Sequence, residues 1–213
     1  MSRRYDCAEP DQRAIGLREA ASTIRRGDLI VLPTDTVYGI GADAFSSNGI
    51  TALVGAKGRG RDMPVPVLVG SPSTLHGLVS KFPENGWDLV DAFWPGALTI
   101  VARHQPSLQW DLGDARGTVA LRMPLHPVAI ELLTQTGPLG VSSANKTGHA
   151  PATTASEAQD QLGTSVDVYL DGGATADNVP SSIVDLTDET PRLLREGAIS
   201  FEQLSKIMTN LRR

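Results

Sequence analysis

Leu29-Ile30-Val31-Leu32-Pro33-Thr34-Asp35-Thr36-Val37-Tyr38-Gly39-Ile40-Gly41 is the stretch from which the fold is read. Its four leading apolar residues predict a short buried strand. Pro33 ends that strand, because proline has no N–H to give to a ladder. Two threonines, an aspartate and a tyrosine then stand where the chain leaves the sheet. Ligands of open α/β sheets bind just outside strand ends, and Gly39 and Gly41 let backbone approach something closely. Hydroxyls and aspartate also favour ordinary turns, so this stretch alone leaves a plain strand-to-loop turn open.

Working outward, Leu17, Ala20, Ala21 and Ile24 recur at helical spacing and predict a helix over 11–26, stopped by Gly27. Residues 1–10 lack such a pattern and are expected to form a loose N-terminal segment. A second helix is expected over 48–57, with Ile50, Leu53 and Val54 inward. Short apolar runs predict strands at 65–69, 97–102, 119–122, 139–141, 166–170, 182–186 and 192–195. Ser71-Pro72 has the form of an N-cap followed by proline at the first helical position. Further helices are expected at 84–94 and 127–133. Another runs from the capping box Thr154-x-x-Glu157 to about 162, and a C-terminal one fills 199–213 behind Ser200-x-x-Gln203. Trp87, Val90 and Trp94 share a helical face and are expected in the core, not on a stacking platform. The fold class is therefore α/β: one domain over 1–213, a twisted mixed open sheet with flanking helices. Consecutive strands near the end argue against a purely parallel sheet.

Hydrophobic residues make up 40% of the 213 and charged residues 20%, the balance of a soluble globular protein. No apolar run approaches the ~20 residues of a membrane helix. Met1 to Asp6 precede no apolar segment, so no secretory signal is expected. The single cysteine, Cys7, allows no intrachain disulfide, and a cytoplasmic location follows as the expectation. The net charge of −5 speaks against a protein that relies on a broad basic surface. Any polyanion site must be local, and Lys57-Gly58-Arg59-Gly60-Arg61 is the stretch that qualifies. One cation at a helix C-terminus would merely complement the dipole; three at alternate positions exceed that need.

Several polar runs follow short apolar strands: Thr34-Asp35-Thr36, the Lys57–Arg61 run, Arg122, Ser142–Asn145, Ser181-Ser182 and Arg195. Gathered on one side of a sheet they would line a cleft with hydroxyls, amides and several cations. Arginine grips carboxylate or phosphate through a two-pronged donor, which suits a nucleotide plus a small carboxylic acid. Other motifs fail. There is no Gly-x-x-x-x-Gly-Lys-Ser/Thr loop. Gly39-Ile40-Gly41-x-x-Ala44 imitates a dinucleotide fingerprint only in part. No metal-ligand spacing occurs, and His76, His104, His126 and His149 are scattered.

Seven motifs in order carry a resemblance. They are Pro33–Gly39, Lys57-Gly58-Arg59, Trp94–Thr99, Val119–Pro124, Ser142–Asn145, Ser181–Asp185 and Arg195-Glu196-Gly197. The chain resembles the YrdC-like family, the threonylcarbamoyl-adenylate synthases, in its single-domain form, from about residue 27 to 199. That resemblance implies a deep, positively lined cavity. It implies that L-threonine, bicarbonate and ATP are joined into L-threonylcarbamoyl-AMP with release of pyrophosphate, Mg2+ accompanying ATP. The product would serve N6-threonylcarbamoylation of adenosine 37 in tRNA through downstream transferase proteins, with direct tRNA contact a further expectation. Carried over by motif, Lys57 and Arg59 would be catalytic. They would bind ATP together with Arg61, Thr118, Ser143, Asn145 and Arg195. Thr34, Arg122 and Ser182 would hold threonine. No protein-bound metal is implied. Two positions depart from the family pattern: Gly60 replaces a common proline, adding Arg61 as a rival to Arg59, and Ser181-Ser182 replaces Ser-Thr.

Two alternatives stand beside the synthase: a non-catalytic RNA-binding module, and a paralogous ATP-dependent carbamoyl enzyme with another acceptor, as in hydrogenase maturation. The first needs a wide basic face that the charge of −5 does not suggest. The second predicts loss of Thr34, Arg122 and Ser182, which are all present. Loops 145–151 and 171–180, with their glycines and prolines, are candidates to close over the site.

Overall fold

The computed structural model describes residues 2–175 and 179–213. In chain order its elements are β1 (Arg3–Asp6), α1 (Pro10–Arg25), β2 (Ile30–Leu32), β3 (Gly39–Asp43), α2 (Ser47–Lys57), β4 (Val67–Leu68), α3 (Leu75–Leu78), β5 (Val79–Lys81), α4 (Glu84–Phe93) and β6 (Leu98–His104). There follow β7 (Thr118–Arg122), α5 (Pro127–Thr136), β8 (Leu139–Ser143), α6 (Ala155–Leu162), β9 (Val168–Asp171), β10 (Ser182–Asp185), β11 (Arg192–Arg195) and α7 (Phe201–Ile207). The strands form one sheet in the order β1-β9-β2-β3-β8-β4-β7-β6-β10-β11, with β5 beside β6. β1–β9, β2–β9, β4–β7 and β6–β10 pair in parallel, and the remaining neighbours are antiparallel. The sheet is mixed, as expected.

Strand alternation sorts the apolar residues into two cores. Ile30 and Leu32 of β2 join Leu139 and Val141 of β8 under α1 and α5, where Leu17, Ile24, Leu132 and Leu133 cover them. Val31, Ile40, Leu121 and Ile100 face the other way, into a larger core with Ile50 and Leu53 of α2, Leu89 of α4 and Leu204 of α7. Arg13 and Glu131 add a 2.6 Å ion pair between α1 and α5.

Three expectations need correction. Residues 1–10 are not a loose segment: Arg3–Asp6 pair in register with Val168–Asp171, and Cys7 is buried. Tyr5 lies over Gly16 of α1, where a Cβ would stand 2.7 Å from that of Tyr5. A strand spelled Arg-Arg-Tyr-Asp offers no apolar alternation, so its pairing is invisible locally. The C-terminal helix does not fill 199–213. α7 ends at Ile207, and the chain turns back so that Leu193 N–H donates to Arg212 O (2.7 Å) and Arg212 N–H to Pro191 O (2.9 Å). Burial of Met208 and Leu211 drives that return. Gly39 to Gly41, expected in a loop, belong to the central strand β3, between β2 and β8. There the glycines make room for neighbours: a Cβ on Gly39 would meet Val141 Cγ1 at 2.5 Å. The opening stretch is thus a β2–β3 connection over 33–38. Of the two candidate closing loops, 171–180 falls partly on 176–178, outside the described residues.

Candidate active site

The β2–β3 connection is stapled by its own threonines. Thr34 Oγ1 donates to Val37 O (2.6 Å) and accepts from Thr36 N–H (3.2 Å) and Val37 N–H (3.3 Å). The two threonine hydroxyls lie 3.1 Å apart. Thr36 Oγ1 in turn accepts from Arg122 Nη1 at 2.9 Å. Thr34 is buried, and its hydroxyl is spent on the turn.

Arg122, the last residue of β7, is 7% exposed. Its Nε donates to Gly96 O (2.9 Å) and its Nη2 to Asp35 Oδ1 (2.6 Å). The same Asp35 oxygen accepts from Leu125 N–H at 2.9 Å. Burial pulls the Arg122 pKa below the ordinary arginine value, Asp35 opposes that pull, and the charge of Arg195 adds to it. An arginine nonetheless stays charged.

Arg195, on β11, is held by Ser181. Its Nε donates to Ser181 O (2.9 Å) and its Nη2 to Ser181 Oγ (3.2 Å), which lies 2.8 Å from Thr99 Oγ1. Ser182 faces elsewhere. It is 0% exposed, donates to Ile199 O (2.5 Å) and accepts from Gly197 N–H (2.9 Å) and Ile199 N–H (3.1 Å). Its hydroxyl knits β10 to the turn before α7 and has no capacity left for a ligand. The serine beside the arginines is Ser181, a correction to the sequence expectation. Strand alternation explains it, since adjacent residues point to opposite faces.

A second group of cations lies at the end of α2. Ser46 caps the helix start, and Gly58, left-handed at φ 60°, ends it. Lys57 is 4% exposed, and its Nζ donates to Ser143 O (2.5 Å), Asn145 O (2.7 Å) and Asn145 Oδ1 (3.3 Å). Carbonyl and amide oxygens solvate this ammonium, and none of these partners is a carboxylate. Burial, helped by the neighbouring Arg59, lowers the Lys57 pKa to about 8. Arg59 Nη1 donates to Ser142 Oγ (3.0 Å), while its buried Nε has no partner. Asn145 Nδ2 donates to the carbonyls of Lys146 and His149, both at 2.9 Å, and so shapes the loop after β8.

The β2–β3 connection joins the two groups. Its threonine end holds Arg122, and at its other end Tyr38 O accepts from Ala144 N–H (2.8 Å), between Ser143 and Asn145. Lys57, Arg59, Ser143 and Asn145 thus lie at one end of a hydrogen-bonded path and Arg122 at the other, with Arg195 close enough for its charge to act on Arg122. Two nominated residues stand apart. Arg61 is exposed and paired with Asp111. Thr118 starts β7, about 13 Å of strand from Arg122 at ~3.3 Å per residue, and its hydroxyl donates to Ala115 O (2.7 Å). Asp35, Thr36, Ser181 and Thr99 hold these cations without a ligand role expected from sequence, although each lies in a motif that carries the resemblance. A cavity of about 380 Å³ lined by Gly27, Asp28, Ala52, Gly55, Ser165 and Asp167, among others, contains none of these cations.

Two groups of largely buried cations, backed by threonine and serine staples, can bind anions and orient them. Among the described residues no hydroxyl of these groups is hydrogen-bonded to a histidine ring. Among the described residues no three histidine, cysteine or acidic side chains cluster in a way that could hold a metal.

The family model described as Telomere recombination (Sua5, YciO, YrdC) matches residues 22–197. A Mycobacterium tuberculosis (strain ATCC 25618 / H37Rv) protein, provisionally named threonylcarbamoyl-AMP synthase, is 57% identical over 208 residues, 98% of this chain and 96% of its own length. A Pyrococcus abyssi (strain GE5 / Orsay) protein named threonylcarbamoyl-AMP synthase is 35% identical over 92% of this chain, which spans 58% of that protein's length. The crystal structure of P. abyssi Sua5 complexed with L-threonine superposes with a TM-score of 0.92 at 33% identity, covering 100% of this chain and 62% of that one.

Proposed function

The chain belongs to the Sua5/YciO/YrdC family, and on that premise we propose that it is a threonylcarbamoyl-AMP synthase. L-Threonine, bicarbonate and ATP are its substrates, and L-threonylcarbamoyl-AMP, pyrophosphate and water its products. The amine of threonine takes up CO2 to form a carbamate. A carbamate oxygen attacks the α-phosphorus of ATP, and the bond to the β-phosphate oxygen breaks to release pyrophosphate. No protein nucleophile is needed. Catalysis then consists of holding anions against one another and stabilising charge on the leaving group. The observation that carries this reading is two separate cation groups, Lys57–Arg59 and Arg122–Arg195, bridged by one connection.

In this reading Arg59 takes the triphosphate, and Lys57, whose three N–H groups are held by Ser143 and Asn145, acts on it through its charge or after releasing the 3.3 Å bond to Asn145 Oδ1. Arg59 serves ahead of Arg61, because its buried Nε lacks a partner while Arg61 is paired at the surface. Ser143 and Asn145 line the same end, and Arg195 stands between nucleotide and amino acid. Arg122 takes the threonine carboxylate. Thr34 and Ser182 support it by holding the connection and the turn before α7, and Ser181 replaces Ser182 at the cleft. Thr118, whose hydroxyl already donates to Ala115 O, is given no contact in this arrangement. Mg2+ would enter with ATP, whose phosphate oxygens suit both the ion and the cations of Lys57 and Arg59. We extend the proposal to a role in N6-threonylcarbamoyladenosine formation in tRNA, by delivery of the product to transferase proteins.

The deciding experiment is pyrophosphate release from ATP, Mg2+ and bicarbonate, with and without L-threonine. Release that requires threonine and is not supported by serine at equal concentration is the expected result. Threonine-independent release, or none, would refute the assignment and favour a carbamoyl enzyme with another acceptor.

A further inference from the structure

Arg122 holds five N–H groups. Three are directed by the protein: one to Gly96 O, one to Thr36 Oγ1 and one to Asp35 Oδ1. One hydrogen remains on each terminal nitrogen, so the guanidinium keeps donors for an anion while the protein holds its plane. Asp35 carries little of the surface (side-chain exposure 15%, against 9% for Arg122), so the pair is desolvated and its geometry matters.

We propose that Asp35 is a positioning residue, which holds the Arg122 guanidinium in the plane from which its unused N–H groups meet the carboxylate of L-threonine; this rests on the function proposed above. Two features make Asp35 the aiming device. Its Oδ1 is fixed twice, by Arg122 and by the backbone N–H of Leu125 at 2.9 Å. Its own backbone lies inside the Thr34–Thr36 staple. A rival role for Asp35, as a carboxylate that occupies Arg122 until substrate displaces it, would require breaking both fixed hydrogen bonds while the staple holds the loop in place.

The test is L-threonine affinity by calorimetric titration, with KM for threonine and for ATP, in Asp35→Asn, Asp35→Glu and Asp35→Ala. Asparagine keeps an oxygen at the same reach, so its threonine affinity should stay within about three-fold of wild type. Glutamate keeps the charge but adds a methylene and pushes Arg122 off its line; alanine removes the aim altogether. Both should weaken threonine by about ten-fold or more, the scale of one charge-assisted hydrogen bond, with ATP affinity unchanged. Should Asp35→Ala fail to fold, the Asn and Glu variants alone decide. Tighter threonine binding in any variant would show displacement instead of aiming. Equal losses for threonine and ATP, or asparagine weaker than glutamate, would also overturn the proposal. Wild-type protein that binds threonine without releasing pyrophosphate would refute the function while leaving the Asp35 comparison intact. Wild-type protein that does not bind threonine would refute both.

Discussion

Replacing Ser182 with alanine separates a structural serine from a substrate contact. The hydroxyl is fully buried and satisfies three groups: the carbonyl of Ile199 and the N–H groups of Gly197 and Ile199. Alanine strands all three in a site that water does not reach. Each buried unsatisfied polar group costs about 1–3 kcal/mol. The turn can relax toward new partners, so we expect a loss of about 2–4 kcal/mol, a sizeable part of a typical ~5–15 kcal/mol total. For a chain of this length, ~2–4 °C per kcal/mol converts that to a fall in Tm of about 4–16 °C. Scanning calorimetry measures the melt, and threonine titration at a temperature where both proteins are folded measures the site. We expect a lowered Tm with threonine affinity within about three-fold of wild type. An unshifted Tm with threonine binding lost would mean that the serine turns into the cleft, and the hydrogen-bond argument would be wrong.

Arg122→Ala should lose threonine-dependent turnover while ATP still binds, and should cost stability of about 3 kcal/mol because Asp35 is left buried without its partner; equal losses of both ligands in titration would refute the assignment. With its pKa near 8, Lys57 is charged below that pH and neutral above it. Thus kcat/KM for ATP should fall as pH rises through about 8, with the kcat limb at higher pH because bound phosphate holds the proton. A profile flat to pH 10 would exclude Lys57 as the phosphate cation. Arg61→Ala removes only a surface pair with Asp111, so KM for ATP should change by less than about three-fold; a ten-fold rise would return Arg61 to the triphosphate site.

Much of the architecture is legible because each long element repeats its own period. Leu17, Ala20, Ala21 and Ile24 give α1, and the apolar run of β6 gives a central strand. β3 is not legible, because Gly39 and Gly41 write it in residues that signal loops, and the reason for them is the Val141 side chain on a strand more than a hundred residues away. β1 is likewise hidden in charged residues. At the site, the cations stand out by type and position, but their partners do not. Nothing local says that Ser181 and not Ser182 meets Arg195, since that depends on which face of β10 the register with β6 selects. Arg61 looks equivalent to Arg59 until Asp111 is brought beside it.

The pairing of β1 and β2 with β9 has a consequence for synthesis of the chain. Arg3 and Ile30 both meet Val168, so the central sheet cannot close until the ribosome has passed that residue. At ~5–20 residues per second the first strand waits on the order of 10–30 s for its partner. During that interval β2, spelled Ile-Val-Leu, presents an open apolar edge of the kind that recruits other chains. A nascent protein stalled or cleaved before Val168 is therefore expected to aggregate, and early occupation of that edge by a holding chaperone should raise the yield of folded protein.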